Sequence, residues 1–155
     1  DMNGKISTYD PAENIHKNGI LVESKVPANI NFTTSSDAIF IASKIIKNLE
    51  YTGVMGIEFF VTKTKKILVN EMAPRVHNSG HWTQSGCIIN QFEQHIRAIT
   101  GRSIGDGKRH SNVLMKNILG DQIFDIKDDS EHSINIYGKE KAKYNRKMGH
   151  INIIE

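Results

Sequence analysis

Gly53-Val54-Met55-Gly56-Ile57-Glu58-Phe59-Phe60-Val61, then Thr62-Lys63-Thr64-Lys65-Lys66, then Ile67-Leu68-Val69-Asn70-Glu71 is the stretch on which the fold turns. Val54 to Val61 is apolar and β-rich with one carboxylate, Glu58, inside it. A polar segment follows, then a second apolar run. This is the pattern of strand, hairpin turn and strand. With the turn centred between Thr64 and Lys65, facing residue numbers sum to 129, which sets Glu58 opposite Glu71. Their Cβ atoms would stand roughly 5 Å apart on one face. An odd-length turn would shift the pairing by one residue. Facing carboxylates are destabilising unless one stays protonated, a basic side chain pairs with both, or a divalent cation bridges them. Oxygen-only ligands suit magnesium, which takes one or two carboxylates together with substrate phosphates. A pair of solvated rim carboxylates is the plain alternative. The apolar setting of Glu58 and the loop after Glu71 weigh against it.

Working outward, the spacing predicts a helix from Thr34 to Glu50. Ala38, Ile39, Ile41, Ala42, Ile45, Ile46 and Leu49 fall on one face, Ser35, Ser36 and Asp37 offer N-caps, and Gly53 stops the pattern. A second helix is expected from about Cys87 to Thr100, closed by Gly101. Asn18-Gly19 marks a turn before Ile20-Leu21-Val22, and Lys5 to Tyr9 alternates weakly. Beyond Gly101 the strands shorten: Val113 to Leu119, then pieces around Ile134–Ile136 and Ile151–Ile153. The expected class is α+β, with residues 1–103 forming one portion and residues 104–155 a small β-rich domain.

The chain has 155 residues, of which 38% are hydrophobic and 24% charged, an ordinary globular balance. No apolar run approaches the ~18 residues of a membrane span. A single cysteine, Cys87, excludes an internal disulfide framework and fits a reducing compartment. A net charge of +3 is too small to argue for nucleic acid. The chain opens Asp1-Met2-Asn3, inside what reads as a strand and hairpin, so a fragment of a longer protein is expected.

From Met72 to Gly86 there is no periodicity, but polar groups are dense. Arg75 offers a planar fork for a carboxylate, carbonate or phosphate. His77 and His81 could carry protons or hydrogen bonds, although each ring alone reads as packed or solvated. Gly80 would let backbone approach a ligand closely. Trp82 reads as core. With one thiol and no glutamate after His77, a zinc site is not expected.

The run Asn70-Glu71-Met72-Ala73-Pro74-Arg75-Val76-His77-Asn78-Ser79-Gly80-His81-Trp82-Thr83-Gln84, continued in Gln91-Phe92-Glu93-Gln94-His95-Ile96-Arg97-Ala98, closely resembles the N5-carboxyaminoimidazole ribonucleotide synthases of purine biosynthesis, which are ATP-grasp ligases. Gly53 to Val61 and the tail Tyr137-Gly138-Lys139-Glu140 through Arg146-Lys147-Met148-Gly149-His150 resemble them too. The resemblance implies the carboxy-terminal part of an ATP-grasp domain, an antiparallel sheet with helices, followed by a small domain. It implies ATP-dependent carboxylation of aminoimidazole ribonucleotide by bicarbonate through carboxyphosphate, releasing ADP and phosphate. It implies magnesium on Glu58 and Glu71, with Asn70 beside them on the ATP phosphates. Arg75 would orient bicarbonate or carboxyphosphate with His77 as neighbour, and Lys139 and Arg146 would reach the ribonucleotide phosphate.

The resemblance further implies a cytoplasmic homodimeric enzyme, with no nucleic-acid or membrane partner. The amino-terminal half, with its adenine-binding lysines, has no counterpart here, so this chain alone is expected to be inactive. Where related sequences carry Pro-Gly before the tail arginine, this chain has Tyr144-Asn145, and Asn tolerates the left-handed turn. The competing readings are an ATP-grasp carboxylase acting on another amine, a basic binding module and a degenerate fragment.

Overall fold

The computed structural model describes residues 1–127 and 131–155. In chain order its elements are β1 (Glu13–Lys17), β2 (Ile20–Val26), α1 (Phe32–Asn48), β3 (Gly56–Val61), β4 (Ile67–Ala73), α2 (Thr83–Gly86), α3 (Gln91–Ile99), β5 (Val113–Leu119), β6 (Ser133–Ile136) and β7 (Lys147–Ile154). Five strands form one antiparallel sheet in the order β1-β2-β5-β7-β6, and β3 and β4 form a separate hairpin. This is the expected α+β class. The larger sheet joins strands from before and after position 103, because β2 pairs with β5 through Val26 opposite Val113. Leu21, Val26, Trp82, Cys87, Val113 and Met115 form the core on that sheet, with Tyr9 and Ala12 packed against it. Trp82 is 2% exposed, in the core as its sequence setting suggests. Among the described residues no helix is long and apolar enough to cross a membrane.

Turn chemistry explains the first hairpin. Asn18 and Gly19 both have positive φ, 51° and 74°, as a two-residue loop with the twist of antiparallel strands requires. The strand before it, β1, carries no alternation to read, since four of its five residues are exposed. Lys5 to Tyr9, in contrast, forms no strand.

Helix α1 starts earlier than its spacing suggests. Asn31, not Ser35, Ser36 or Asp37, is the cap, accepting the Thr34 N–H at 2.8 Å. It also ends earlier. Glu50 turns left-handed at φ 49° and Tyr51 N–H bonds back to Ile46 O, so the helix is closed before Gly53. The second expected helix, from about Cys87, begins only at Gln91, and a separate turn precedes it inside the segment that reads as loop. Residues 83–86 make that turn, and α3 is capped by Asn90, whose side chain accepts from Phe92 and Glu93 N–H. Its end is as expected, with Gly101 at φ 72° and Arg102 N–H on Arg97 O.

The hairpin register needs a correction although its outcome stands. Thr62 N–H bonds to Lys66 O and Phe59 pairs with Val69, so pairs nearest the turn sum to 128, one less than expected. A bulge between Glu58 and Phe59 gains that residue back on β4, leaving Glu58 opposite Glu71. The extra residue on the bulged strand is Asn70.

Candidate active site

Glu58 lies in β3 with a side chain 10% exposed, and Glu71 lies across from it in β4, 54% exposed. The inner carboxylate is held on several sides. Asn14 Nδ2 donates to Glu58 Oε1 at 3.2 Å, and His16 Nε2 lies 3.9 Å from Oε2. His77 stands between the two carboxylates, with Nε2 3.2 Å from Glu71 Oε1 and Nδ1 3.9 Å from Glu58 Oε1. Its Nδ1 also meets Ser79 Oγ at 2.8 Å. A histidine ring thus stands between the facing acids.

That ring fits only because Gly56 faces it. A Cβ at Gly56 would come within 2.6 Å of His77 Cβ and 2.9 Å of its Cγ. Gly80 serves a different purpose from the expected one. It leaves room for the Gln91 amide, which a Cβ there would meet at 2.5 Å. Glu58, Asn70, Glu71 and His77 line a concavity of about 1120 Å³, which is also lined by Asp1, Met2, residues 4–12 and α1. That is ample for a nucleotide-sized ligand.

Arg75 is exposed, and its guanidinium donates to Val76 O at 2.9 Å. In the tail, Lys139 Nζ donates to Lys147 O at 2.5 Å and lies 5.4 Å from the Tyr137 ring centroid. Arg146 donates to Lys141 O at 3.2 Å. Asn145 takes φ 61° in the turn closed by Arg146 N–H to Lys143 O, so Asn does supply the left-handed residue. The structure thus brings Glu58, Glu71 and His77 together. Lys139 and Arg146 instead bond to separate tail carbonyls.

Sequence reasoning named no role for Lys147, at the start of β7. Burial lowers its pKa, Glu58 and Glu71 nearby raise it, and Arg75 and Lys139 lower it further. It stands among both groups of site residues. The only signal for it was its place in the basic run Lys139 to Lys147.

The donor set fits magnesium. Two carboxylates face each other and line the concavity, and no cysteine lines it among the described residues. Among the described residues no three His, Cys, Asp or Glu side chains are grouped so as to hold a metal ion. A cation here would keep positions for other oxygens.

Residues 1–92 match the family model of the ATP-grasp domain, and residues 113–155 match that of the phosphoribosylaminoimidazole carboxylase C-terminal domain. The chain belongs to the ATP-grasp family. Within that family it is similar to the carboxy-terminal part of the N5-carboxyaminoimidazole ribonucleotide synthases. It is 46% identical over 158 residues to the synthase of Brucella melitensis and 42% identical over 158 residues to that of Bacillus subtilis. These alignments cover 100% and 99% of this chain but 44% and 42% of the relatives. The Aspergillus clavatus synthase solved with ADP and 5-aminoimidazole ribonucleotide superposes with a TM-score of 0.88 at 31% identity, covering 96% of this chain and 43% of that one. The chain spans less than half the length of these relatives.

Proposed function

We propose that this chain is the magnesium-binding and closing part of an N5-carboxyaminoimidazole ribonucleotide synthase. The whole enzyme would transfer the γ-phosphoryl group of ATP to bicarbonate. The amine of aminoimidazole ribonucleotide would then attack the carboxyl carbon of carboxyphosphate, expelling phosphate. Glu58 and Glu71 would hold magnesium, which neutralises charge on the nucleotide phosphates when bound. Asn70, put on the strand by the bulge, would hydrogen-bond those phosphates. His77 would orient Glu71 and exchange hydrogen bonds with it as the site fills. Arg75 would orient bicarbonate with its fork. Lys139 and Arg146 would turn from carbonyls to the ribonucleotide phosphate, an exchange of neutral for charged acceptors that favours the anion. The remaining length of the relatives would supply the ATP-binding remainder. We place the division between the two portions of this chain near residue 103, and the enzyme in the cytoplasm as a homodimer.

The observation that carries this reading is the facing Glu58–Glu71 pair on the bulged hairpin, open to a nucleotide-sized concavity. The test is ribonucleotide-dependent ADP release by the protein comprising this chain and the rest of its relatives' length. Glu58→Gln or Glu71→Gln should each lower that rate at least ~100-fold, as removal of a metal ligand does. Near-normal carboxylation by either variant would refute the assignment. The 155-residue chain alone should release no ADP in response to ribonucleotide.

A further inference from the structure

A buried row of side chains runs from His77 to the tail. Gln91 is 2% exposed, and main-chain groups fix its amide in one orientation. Its Oε1 accepts the His77 N–H at 2.9 Å, and its Nε2 donates to His77 O at 2.8 Å. The same Nε2 donates to His81 Nδ1 at 3.0 Å. His81 Nδ1 therefore acts as an acceptor, and the neutral ring carries its proton on Nε2. His81 stacks on His150 with centroids 4.4 Å apart and planes 11° from parallel, and on Phe92 at 5.6 Å. His150 Nε2 meets Gln84 Oε1 at 2.9 Å, and its Nδ1 meets the Tyr137 hydroxyl at 2.7 Å. Tyr137 in turn lies beneath the Lys139 ammonium.

Burial explains why the row works with neutral rings. It pushes the His81 pKa down to about 3, helped by neighbouring His150, His77 and Lys147, and that of His150 down to about 4. The loop is also tied to Gln91 from behind. Thr83 Oγ1 accepts the Gln91 N–H at 3.0 Å and donates to Gly80 O at 2.6 Å. Nothing in the hydrogen bonding of the row needs a ligand. Its members lie on the loop after β4, on α3, on β7 and just past β6, segments remote in sequence.

We propose that Gln91 is a positioning residue for His77, and that the row Gln91–His81–His150–Tyr137 holds the carboxylate end of the site and the Lys139 end at one fixed separation. This rests on the function proposed above. A ribonucleotide gripped by the tail would then meet a His77 already seated between its carboxylates, so that binding at one end costs no rearrangement at the other.

The sharpest probe is Gln91→Glu, which keeps shape but turns an oxygen toward two acceptors, His77 O and His81 Nδ1. In the 155-residue chain at pH 7, ¹⁵N–¹H correlation NMR of the histidine rings should show His81 as the neutral Nε2–H tautomer. Gln91→Glu should move or add a proton at His81 Nδ1 and displace the His77 ring signals. Tyr137→Phe removes one hydroxyl at the far end and should alter the His150 tautomer balance and shift His81 and His77 as well. It carries the test if Gln91→Glu does not fold. A folded variant of either kind that leaves His77 unmoved would overturn the proposal.

In the protein comprising the chain and its ATP-binding remainder, Gln91→Glu should lower kcat per folded enzyme at least ~10-fold while leaving KM for ATP within about 2-fold. A purely structural glutamine would lower the folded fraction and leave that kcat unchanged. Absence of ribonucleotide-dependent turnover in the unmodified protein would remove the proposed function instead, with the NMR result still deciding the row.

Discussion

At the hairpin, Glu58 is nearly enclosed and touched by Asn14 and His77, whereas in the tail Arg146 is exposed and donates to Lys141 O. The two ends of the proposed site are built by opposite means. The acidic end is assembled before any ligand arrives: strand pairing fixes the carboxylates, a bulge adds Asn70, and Gly56 clears the space for His77. At the basic end, Lys139 and Arg146 bond to main-chain carbonyls, which carry no full charge and leave the cations' charge available to an anion. Preorganisation suits groups that must gather a doubly charged cation and polyphosphate. Cations bonded to neutral carbonyls suit a phosphate that enters and leaves with the substrate.

The comparison breaks most severely if the hairpin is made less exact. Gly56→Ala places a methyl group against His77 Cβ and should push the ring away from the carboxylates. We expect about a 100-fold loss of ribonucleotide-dependent ADP release, the usual scale for misplacing a site by an ångström. Normal turnover by this variant would mean that the position of His77 is not critical. Next in size is the tail. Combined Lys139→Ala and Arg146→Ala should raise KM for the ribonucleotide roughly 10- to 100-fold, the scale of lost charge-assisted bonds, and spare KM for ATP. An equal change in both KM values would instead place these residues in the scaffold.

The smallest effect concerns acid stability. His81 and His150 titrate near pH 6.5 when unfolded, but at about 3 and about 4 in the fold. Between those values the unfolded chain binds more protons, so stability contributed by the neutral rings is complete above about pH 6.5. It falls as pH drops toward about 4. Denaturant midpoints measured from pH 8 to pH 4 should decline through this window, and the decline should be shallower in a folded His150→Gln variant. A midpoint independent of pH there would contradict the buried neutral pair.

Much of this was readable from the chain itself, for identifiable reasons. Strand, turn and strand around Glu58 were legible because apolar runs bracket a polar turn. The facing of Glu58 and Glu71 was reached through two compensating departures. The turn is one residue shorter in register, and a bulge restores it at Asn70. A bulge has no composition to announce it, and no sequence period could have shown it. Strand β1 is not legible because four of its five residues are exposed and show no alternation. Asn31 does not stand out in the sequence because Ser35, Ser36 and Asp37 offer equally good caps. Gly80 reads in the sequence as a ligand-approach glycine, but its neighbour is Gln91, eleven residues away and folded back by the non-helical residues between α2 and α3. Lys147 could not be separated from a basic run by sequence alone, because its significance comes from being half-buried between the two ends.

The central claim is that Glu58 and Glu71 form one cation-and-nucleotide site. It is tested most directly by adding manganese, a paramagnetic substitute for magnesium, together with ATP to the labelled protein comprising this chain and its ATP-binding remainder and following NMR line broadening. The account predicts that signals of Glu58, Asn70, Glu71 and His77 broaden first, and that the Glu58→Gln, Glu71→Gln double variant loses this effect. Broadening centred elsewhere, or unchanged in the double variant, would contradict it.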